Sequence, residues 1–147
     1  MANKLLILLL LIGCTSPKEQ PPVIKDMMFD MDGGTFPFPI HVVIMDDPEK
    51  AANYINSFIE DSINAYEFEE VAGYTFINGD GRPTAIWLSQ MSNNPEDIAV
   101  ANHELLHATL AIMRFSGIPF EDVSEEAYGY QMQYLSQQFY KNLKPNK

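Results

Sequence analysis

The segment His103-Glu104-Leu105-Leu106-His107 constrains the fold of this chain more than any other part of the sequence. Residues four apart lie on one face of an α-helix, one turn from each other, so a helix here brings two imidazoles together. Such a pair can hold a zinc ion. Glu104, about 100° further round the helix from His103, can then reach a metal-bound water as a general base. The pattern therefore indicates zinc-dependent hydrolysis, and this chemistry requires the segment to be helical.

The residues on either side of the motif are typical of helix boundaries. Asn94-Pro95-Glu96 favours a helix start, and Gly117-Ile118-Pro119 favours a stop. Between them, apolar residues recur at the spacing of one buried helix face: Ile98, Ala101, Leu105, Ala108, Leu110 and Ile112. The alternative is an ordinary amphipathic helix that happens to carry two of the three histidines of the chain.

The N-terminus indicates export. One basic residue, Lys4, precedes an unbroken apolar run from Leu5 to Ile12, which is too short to cross a bilayer and suits a signal peptide. The run ends in Leu11-Ile12-Gly13-Cys14, which resembles the lipobox of bacterial lipoproteins. The resemblance implies cleavage after residue 13, lipid on Cys14, and a protein anchored to a membrane of the cell envelope. A signal peptide cut elsewhere and a plain N-terminal anchor are the alternatives.

Charge and cysteine content narrow the classes of partner. The chain has a net charge of −11, and loss of residues 1–13 with Lys4 leaves eight basic residues against 20 acidic ones, a net charge of −12. Nucleic acid is not an expected partner, because phosphate binding requires a basic face. Attachment to a membrane would rest on acyl chains alone. One cysteine allows no internal disulfide, so the core or a metal must supply stability.

The remaining pattern predicts an α+β domain. We expect a tether over residues 14–39, which is polar and proline-rich at its start, and a single domain over residues 40–147. The stretch Val23–Met31 is open to two interpretations, part of the tether or an added edge strand. The predicted elements are a strand over 40–45, a helix from Asp47-Pro48 to about Ser62, a hairpin of strands 72–77 and 84–89, the motif helix, and a last helix over 123–140.

This order of elements resembles the core of the zincin metallopeptidases. The resemblance implies a minimal zincin-like fold, in which a small twisted sheet packs on the metal-binding helix and on the C-terminal helix that follows. In that family an edge strand lies over the metal cleft and pairs with the backbone of the substrate. The strand just upstream of the motif helix, residues 84–89, is the candidate for this edge.

A catalytic zinc site needs a third protein ligand beside water. No histidine follows His107, and His41 lies far upstream, where we expect a packed or surface residue. The gluzincins take their third ligand from a glutamate on the next helix. A group of phage and prophage proteins classed as metallopeptidases is also similar over residues 84–135, and its second motif matches Glu126-Ala127-Tyr128-Gly129-Tyr130 apart from Gly129. The resemblance implies His103, His107 and Glu126 as ligands of Zn²⁺.

Two alternatives to Glu126 stay open. Glu125 is adjacent, but Asp122 and Glu125 have the spacing of a capping box, which would give Glu125 a structural role at the helix start. Both glutamates are otherwise ordinary acids of a first helical turn, where the helix dipole favours them.

Tyr130 completes the predicted site. It lies four residues after Glu126 and thus on the same helix face, from which it could bond a metal ligand or the oxyanion of a tetrahedral intermediate. Tyr128 could serve instead, and both tyrosines fit packing positions of an amphipathic helix equally well.

The sequence therefore predicts a small exported zinc metallopeptidase with Glu104 as its general base and a peptide or protein as its substrate. The alternative is a zincin-fold lipoprotein that binds metal or a partner in the cell envelope without turnover.

Overall fold

A computed structural model describes residues 22–34 and 36–143 of the chain. Its elements are β1 (Asp26–Gly33), β2 (Phe36–Met45), α1 (Pro48–Ile55), a 3-10 turn (Ala65–Phe68), β3 (Gly73–Ile77), β4 (Pro83–Leu88), α2 (Pro95–Phe115) and α3 (Glu125–Asn142). The predicted α+β class is confirmed. The predicted signal peptide, Cys14 and the start of the tether lie outside the described residues.

The sheet is mixed, with the strands in the order β1-β2-β4-β3. β1 and β2 form an antiparallel hairpin, β2 and β4 are parallel, and β3 pairs antiparallel with β4. Because parallel neighbours need a crossover connection, the chain leaves β2, passes through α1 and β3, and returns to the centre of the sheet as β4. The two edges of the sheet are therefore β1 and β3.

Helices cover both faces of the sheet. Side chains that alternate along β2 and β4 point to opposite faces, and both sets are buried, which explains why these strands are continuously apolar. The core on the α2 and α3 side includes Val42, Ile44, Ile86, Leu88, Leu105, Ala108, Ile112, Leu135 and Phe139. The core on the α1 side includes Val43, Met45, Ala51, Ile55, Phe68, Phe76, Ala85 and Trp87.

The domain begins earlier than predicted. The proposed tether over residues 14–39 contains β1 and the start of β2, so the predicted boundary at residue 40 is wrong and the edge-strand interpretation of Val23–Met31 is correct. Met27, Phe29 and Met31 alternate towards the core while three aspartates occupy the other face. This stretch therefore has the period of a half-buried strand despite its acidic composition.

The first helix is shorter than predicted. It ends at Ile55 rather than near Ser62, and Asn56 is its C-cap. The side chain of Asn56 forms hydrogen bonds with the backbone of Ile63 in the loop that follows. The Asn56 side-chain nitrogen donates to the carbonyl of Ile63 at 2.9 Å, and the Asn56 side-chain oxygen accepts from the Ile63 N–H at 2.9 Å.

The boundaries of α2 are confirmed. Asn94 caps its start by accepting a hydrogen bond from the Asp97 N–H at 2.7 Å, with Pro95 in the first turn. At the other end Gly117 adopts a φ of 70°, and the Ile118 N–H bonds the carbonyl of Met113 at 2.9 Å. This left-handed conformation ends the helix, and glycine adopts it readily because it has no Cβ.

Candidate metal centre

Helix α2 presents the two motif histidines together on its solvent side. His103 and His107 are both exposed, and their Nε2 atoms are 3.0 Å apart. Their rings meet edge to face, with centroids 4.6 Å apart. Two imidazole nitrogens bound to one tetrahedral zinc at its usual bond length are separated by roughly 3.3 Å. The pair therefore fits two positions of such a site without a change in the helix.

Glu104 faces a different direction from the two histidines. It lies about 100° round the helix from His103, towards β3, and only 5% of the residue is exposed. Its Oε2 accepts a hydrogen bond from Thr75 Oγ1 at 2.8 Å, and the same hydroxyl lies 2.9 Å from the Glu104 carbonyl oxygen. The predicted general base is therefore anchored on the sheet, next to the histidine pair.

A glycine lets the strand approach this glutamate. A Cβ added to Gly73 would lie 2.9 Å from Glu104 Cγ and 2.9 Å from Val100 Cγ1, which is closer than carbon atoms normally pack. The strand and the helix together border an open cleft of about 360 Å³ that contains one of the histidines and the glutamate. Its walls are Val71, Ala72, Gly73, Ala99, Val100, His103 and Glu104.

The strand beside the cleft is not the one that the sequence indicated. The predicted substrate edge, residues 84–89, forms β4, which has β2 on one side and β3 on the other. The edge is β3. The Ser89 N–H bonds the carbonyl of Ala72 at 3.0 Å, so the backbone groups of Ala72 point towards β4. Along an antiparallel pair, successive residues direct their N–H and C=O groups alternately towards the partner strand and away from it. The backbone groups of Gly73 and Thr75 therefore point away from β4. These groups face the free edge, next to Glu104.

Glu126 is not brought to the histidine pair. Helix α3 runs antiparallel to α2, as two contacts along it show: Tyr140 Oη lies 3.1 Å from Asn102 Oδ1, and Thr109 Oγ1 lies 3.5 Å from Met132 Sδ. By this register the part of α3 alongside His107 is near residue 134, about 12 Å along the helix from Glu126. Within the described part of the chain, no three His, Cys, Asp or Glu side chains form a group that could hold a metal. Glu126 as the third ligand stays a prediction.

The side of α2 on which α3 packs explains this separation. Asn102 lies about 100° from His103, in the direction away from Glu104, and Thr109 lies about 160° from His107. Helix α3 therefore covers a flank of α2 that does not carry the histidines. Glu126 itself is exposed on the first turn of α3.

The expected capping box of Asp122 and Glu125 is wrong. The N-cap of α3 is Ser124, whose hydroxyl donates to the carbonyl of Pro119 and accepts from the Glu121 N–H. Glu125 is thus an exposed first-turn residue like its neighbour. The structure removes this reason for preferring Glu126 over Glu125.

The two tyrosines that the sequence suggests for the site, Tyr128 and Tyr130, lie away from the histidine pair. Tyr128 is buried, and its hydroxyl donates to the carbonyl of Ile118 at 2.7 Å, so it holds the turn between the helices. Tyr130 is 68% exposed and lines a separate cavity of about 650 Å³ with Met113, Ile118 and Tyr134. The packing interpretation is correct for Tyr128, and a catalytic role of Tyr130 stays a prediction.

The third histidine lies on the sheet. His41 Nδ1 is 2.7 Å from Asp30 Oδ1 across the β1–β2 pair, and its ring contacts Phe58 at a centroid distance of 4.2 Å. His41 is thus a packed surface histidine, as expected. Thr75 and Gly73 are the site residues that sequence reasoning missed. A threonine in a strand is too common to mark a site, and only the packing of β3 on α2 reveals both.

Comparison of the chain with protein-family models, with curated proteins and with solved structures found no match. Among the described residues, no helix is long and apolar enough to span a membrane.

Proposed function

We propose that this protein hydrolyses peptide bonds with a zinc ion held by His103 and His107. The observation that carries the proposal is the 3.0 Å separation of the two Nε2 atoms beside a buried carboxylate. Imidazole suits zinc as a ligand, and the helix presents both rings without strain in the backbone. When bound there, the ion would polarise the carbonyl of the substrate and lower the pKa of water towards neutrality. Glu126 is the third ligand that the sequence predicts, but it lies about 12 Å along α3 from the part of that helix beside His107, so the proposal rests on the two histidines.

The chain supplies the proton transfers through Glu104. Thr75 holds Oε2, so Oε1 is the oxygen left to take a proton from the attacking water. The same oxygen can then pass this proton to the leaving amine. Glu104 is buried, but it lines the same cleft as the exposed His103, so the base lies where the core meets the cleft.

The free edge of β3 supports a peptide as the substrate. The outward-facing backbone groups of Gly73 and Thr75 can bond an extended chain, which would lie along the cleft and past Glu104. This mode of binding uses main-chain groups, so it accepts many sequences. The resemblance of the two motifs to phage and prophage metallopeptidases points to the same reaction.

The proposed setting is the cell envelope. Its support is the lipobox-like sequence that ends at Cys14, which would fix the protein to a membrane through acyl chains. The strongly acidic composition argues for a protein or peptide partner rather than nucleic acid.

Glu104→Gln tests the reaction. This variant should keep zinc, because both histidines remain, and should lose hydrolysis of fluorescein-labelled casein by about 10² to 10⁴-fold. Glu96→Gln, an exposed glutamate on the first turn of the same helix, is the matched control and should keep wild-type activity. Unchanged hydrolysis in Glu104→Gln, with zinc content verified by mass spectrometry, would remove the assignment.

A second candidate function has its own support. The near-complete burial of Glu104 and its bond to Thr75 are also what a structural glutamate would show. A protein that binds metal or a partner in the envelope without turnover fits these contacts. Zinc binding by the wild-type protein together with no cleavage of casein would favour this alternative.

A further inference from the structure

The Thr75 hydroxyl contacts both the side chain and the backbone of Glu104. Its Oγ1 lies 2.8 Å from Oε2 and 2.9 Å from the carbonyl oxygen, and the two residues are 9% and 5% exposed. The hydroxyl therefore lies within hydrogen-bond distance of two acceptors of the same residue. Such a pair of contacts restricts the side-chain torsions of a glutamate that would otherwise sample several rotamers.

Thr75 lies on a rigid element. It pairs with Ile86 in the β3–β4 ladder, and its side chain points from the sheet towards α2. Gly73, two residues earlier on the same strand face, leaves the room that Glu104 Cγ occupies. The strand thus holds the Thr75 hydroxyl beside the turn of α2 that carries Glu104.

We propose that Thr75 is a positioning residue for Glu104. Its hydroxyl holds Oε2 against β3, so that Oε1 faces the cleft beside His103. This inference rests on the proposed function, because the position of Oε1 matters for the rate only if Glu104 moves the proton. A base must lie within hydrogen-bond reach of that proton, and a misplacement of about 1 Å can cost about 10²-fold in rate.

A merely structural hydrogen bond would have different consequences. If Thr75 only fastens β3 to α2, its loss should lower stability and leave kcat unchanged in the protein that remains folded. A positioning role should instead lower kcat and leave KM unchanged, because the bound substrate still pairs with the same strand edge. The split between kcat and KM therefore separates the two roles.

The test compares Thr75→Val with Thr75→Ser in kcat and KM for fluorescein-labelled casein. Thr75→Val keeps the shape of the side chain and removes the hydroxyl, so kcat should fall about 10- to 100-fold while KM changes by less than about threefold. Thr75→Ser keeps the hydroxyl and should restore most of kcat. Thr109→Val is the matched control, since Thr109 is also buried and its hydroxyl bonds the Leu105 carbonyl instead, at 2.8 Å. This control should keep wild-type kcat.

Two further measurements link Thr75 to Glu104. In a Glu104→Ala background, Thr75→Val should change the residual rate by less than about twofold, because the group that it positions is gone. In the metal-free protein, a double-mutant cycle of Thr75→Val and Glu104→Ala on the free energy of unfolding should be non-additive. Zinc affinity measured by calorimetry should not change in Thr75→Val.

The outcomes are distinguishable. Wild-type kcat in folded Thr75→Val would overturn the positioning role while the proposed function stands, provided that Glu104→Gln is inactive. The positioning role would also be overturned if Thr75→Val lowered kcat in the Glu104→Ala background as much as it does in the wild type. A wild-type protein that binds zinc and cleaves no casein would overturn the proposed function, and the positioning role with it.

Discussion

The close approach of β3 to α2 predicts that Gly73→Ala destabilises the protein. A Cβ at this position would lie 2.9 Å from Glu104 Cγ, 2.9 Å from Val100 Cγ1 and 3.0 Å from Leu88 Cδ2. Overpacking of this kind costs about 1–3 kcal/mol, and the lower chain entropy of an unfolded alanine variant offsets about 0.4–1 kcal/mol of it. Since Gly73 does not have a positive φ, no backbone strain adds to this sum. The free energy of unfolding should therefore fall by about 1–2 kcal/mol.

Urea unfolding provides the assay. Trp87, the single tryptophan, is 2% exposed and reports loss of the core by its fluorescence. Gly129→Ala is the matched control, because Gly129 lies in the second turn of α3 and a Cβ there meets nothing within 4 Å. Helix propensity should make that variant more stable by up to about 1 kcal/mol. A Gly73→Ala variant as stable as the wild type would refute the packing of β3 on Glu104.

Two further predictions concern metal affinity and pH. His103→Ala and His107→Ala should each lower zinc affinity by more than about 100-fold in calorimetry, whereas His41→Ala should leave it unchanged, and an equal loss in all three would contradict the assignment. The side-chain hydrogen bond to Asp32, then burial and the charge of Asp32, raise the pKa of Tyr134 above its ordinary value of 10. The neutral phenol therefore stabilises the fold below that pH, and this contribution is lost as pH rises through the raised pKa. Tyr134→Phe should flatten the alkaline decline in stability, and an unchanged decline would contradict this linkage.

The helix that carries the motif could be predicted from the sequence because its determinants are local. Asn94 caps the start through its own side chain, and Gly117 ends the helix through its own backbone conformation. The i and i+4 spacing then fixes the histidine pair whatever surrounds the helix. The α+β class followed for a similar reason, since alternation and helical periodicity are properties of short segments.

The edge of the sheet could not be predicted in this way. Strand order depends on which strands pair across the whole domain, and the parallel pairing of β2 with β4 places β4 in the centre. The sequence of residues 84–89 reads the same at an edge or in the interior. The tether was misjudged for a related reason, since the strand character of β1 depends on its pairing with β2.

The sequence alone therefore determined the two imidazoles, the glutamate between them and the helix that sets their spacing. Only the tertiary structure decided what surrounds them. It placed Gly73 and Thr75 against Glu104, and it packed α3 on the flank of α2 that faces away from the histidines. The physical reason is range: helix geometry acts over four residues, whereas the neighbours of a side chain are set by burial of apolar surface across elements far apart in the chain.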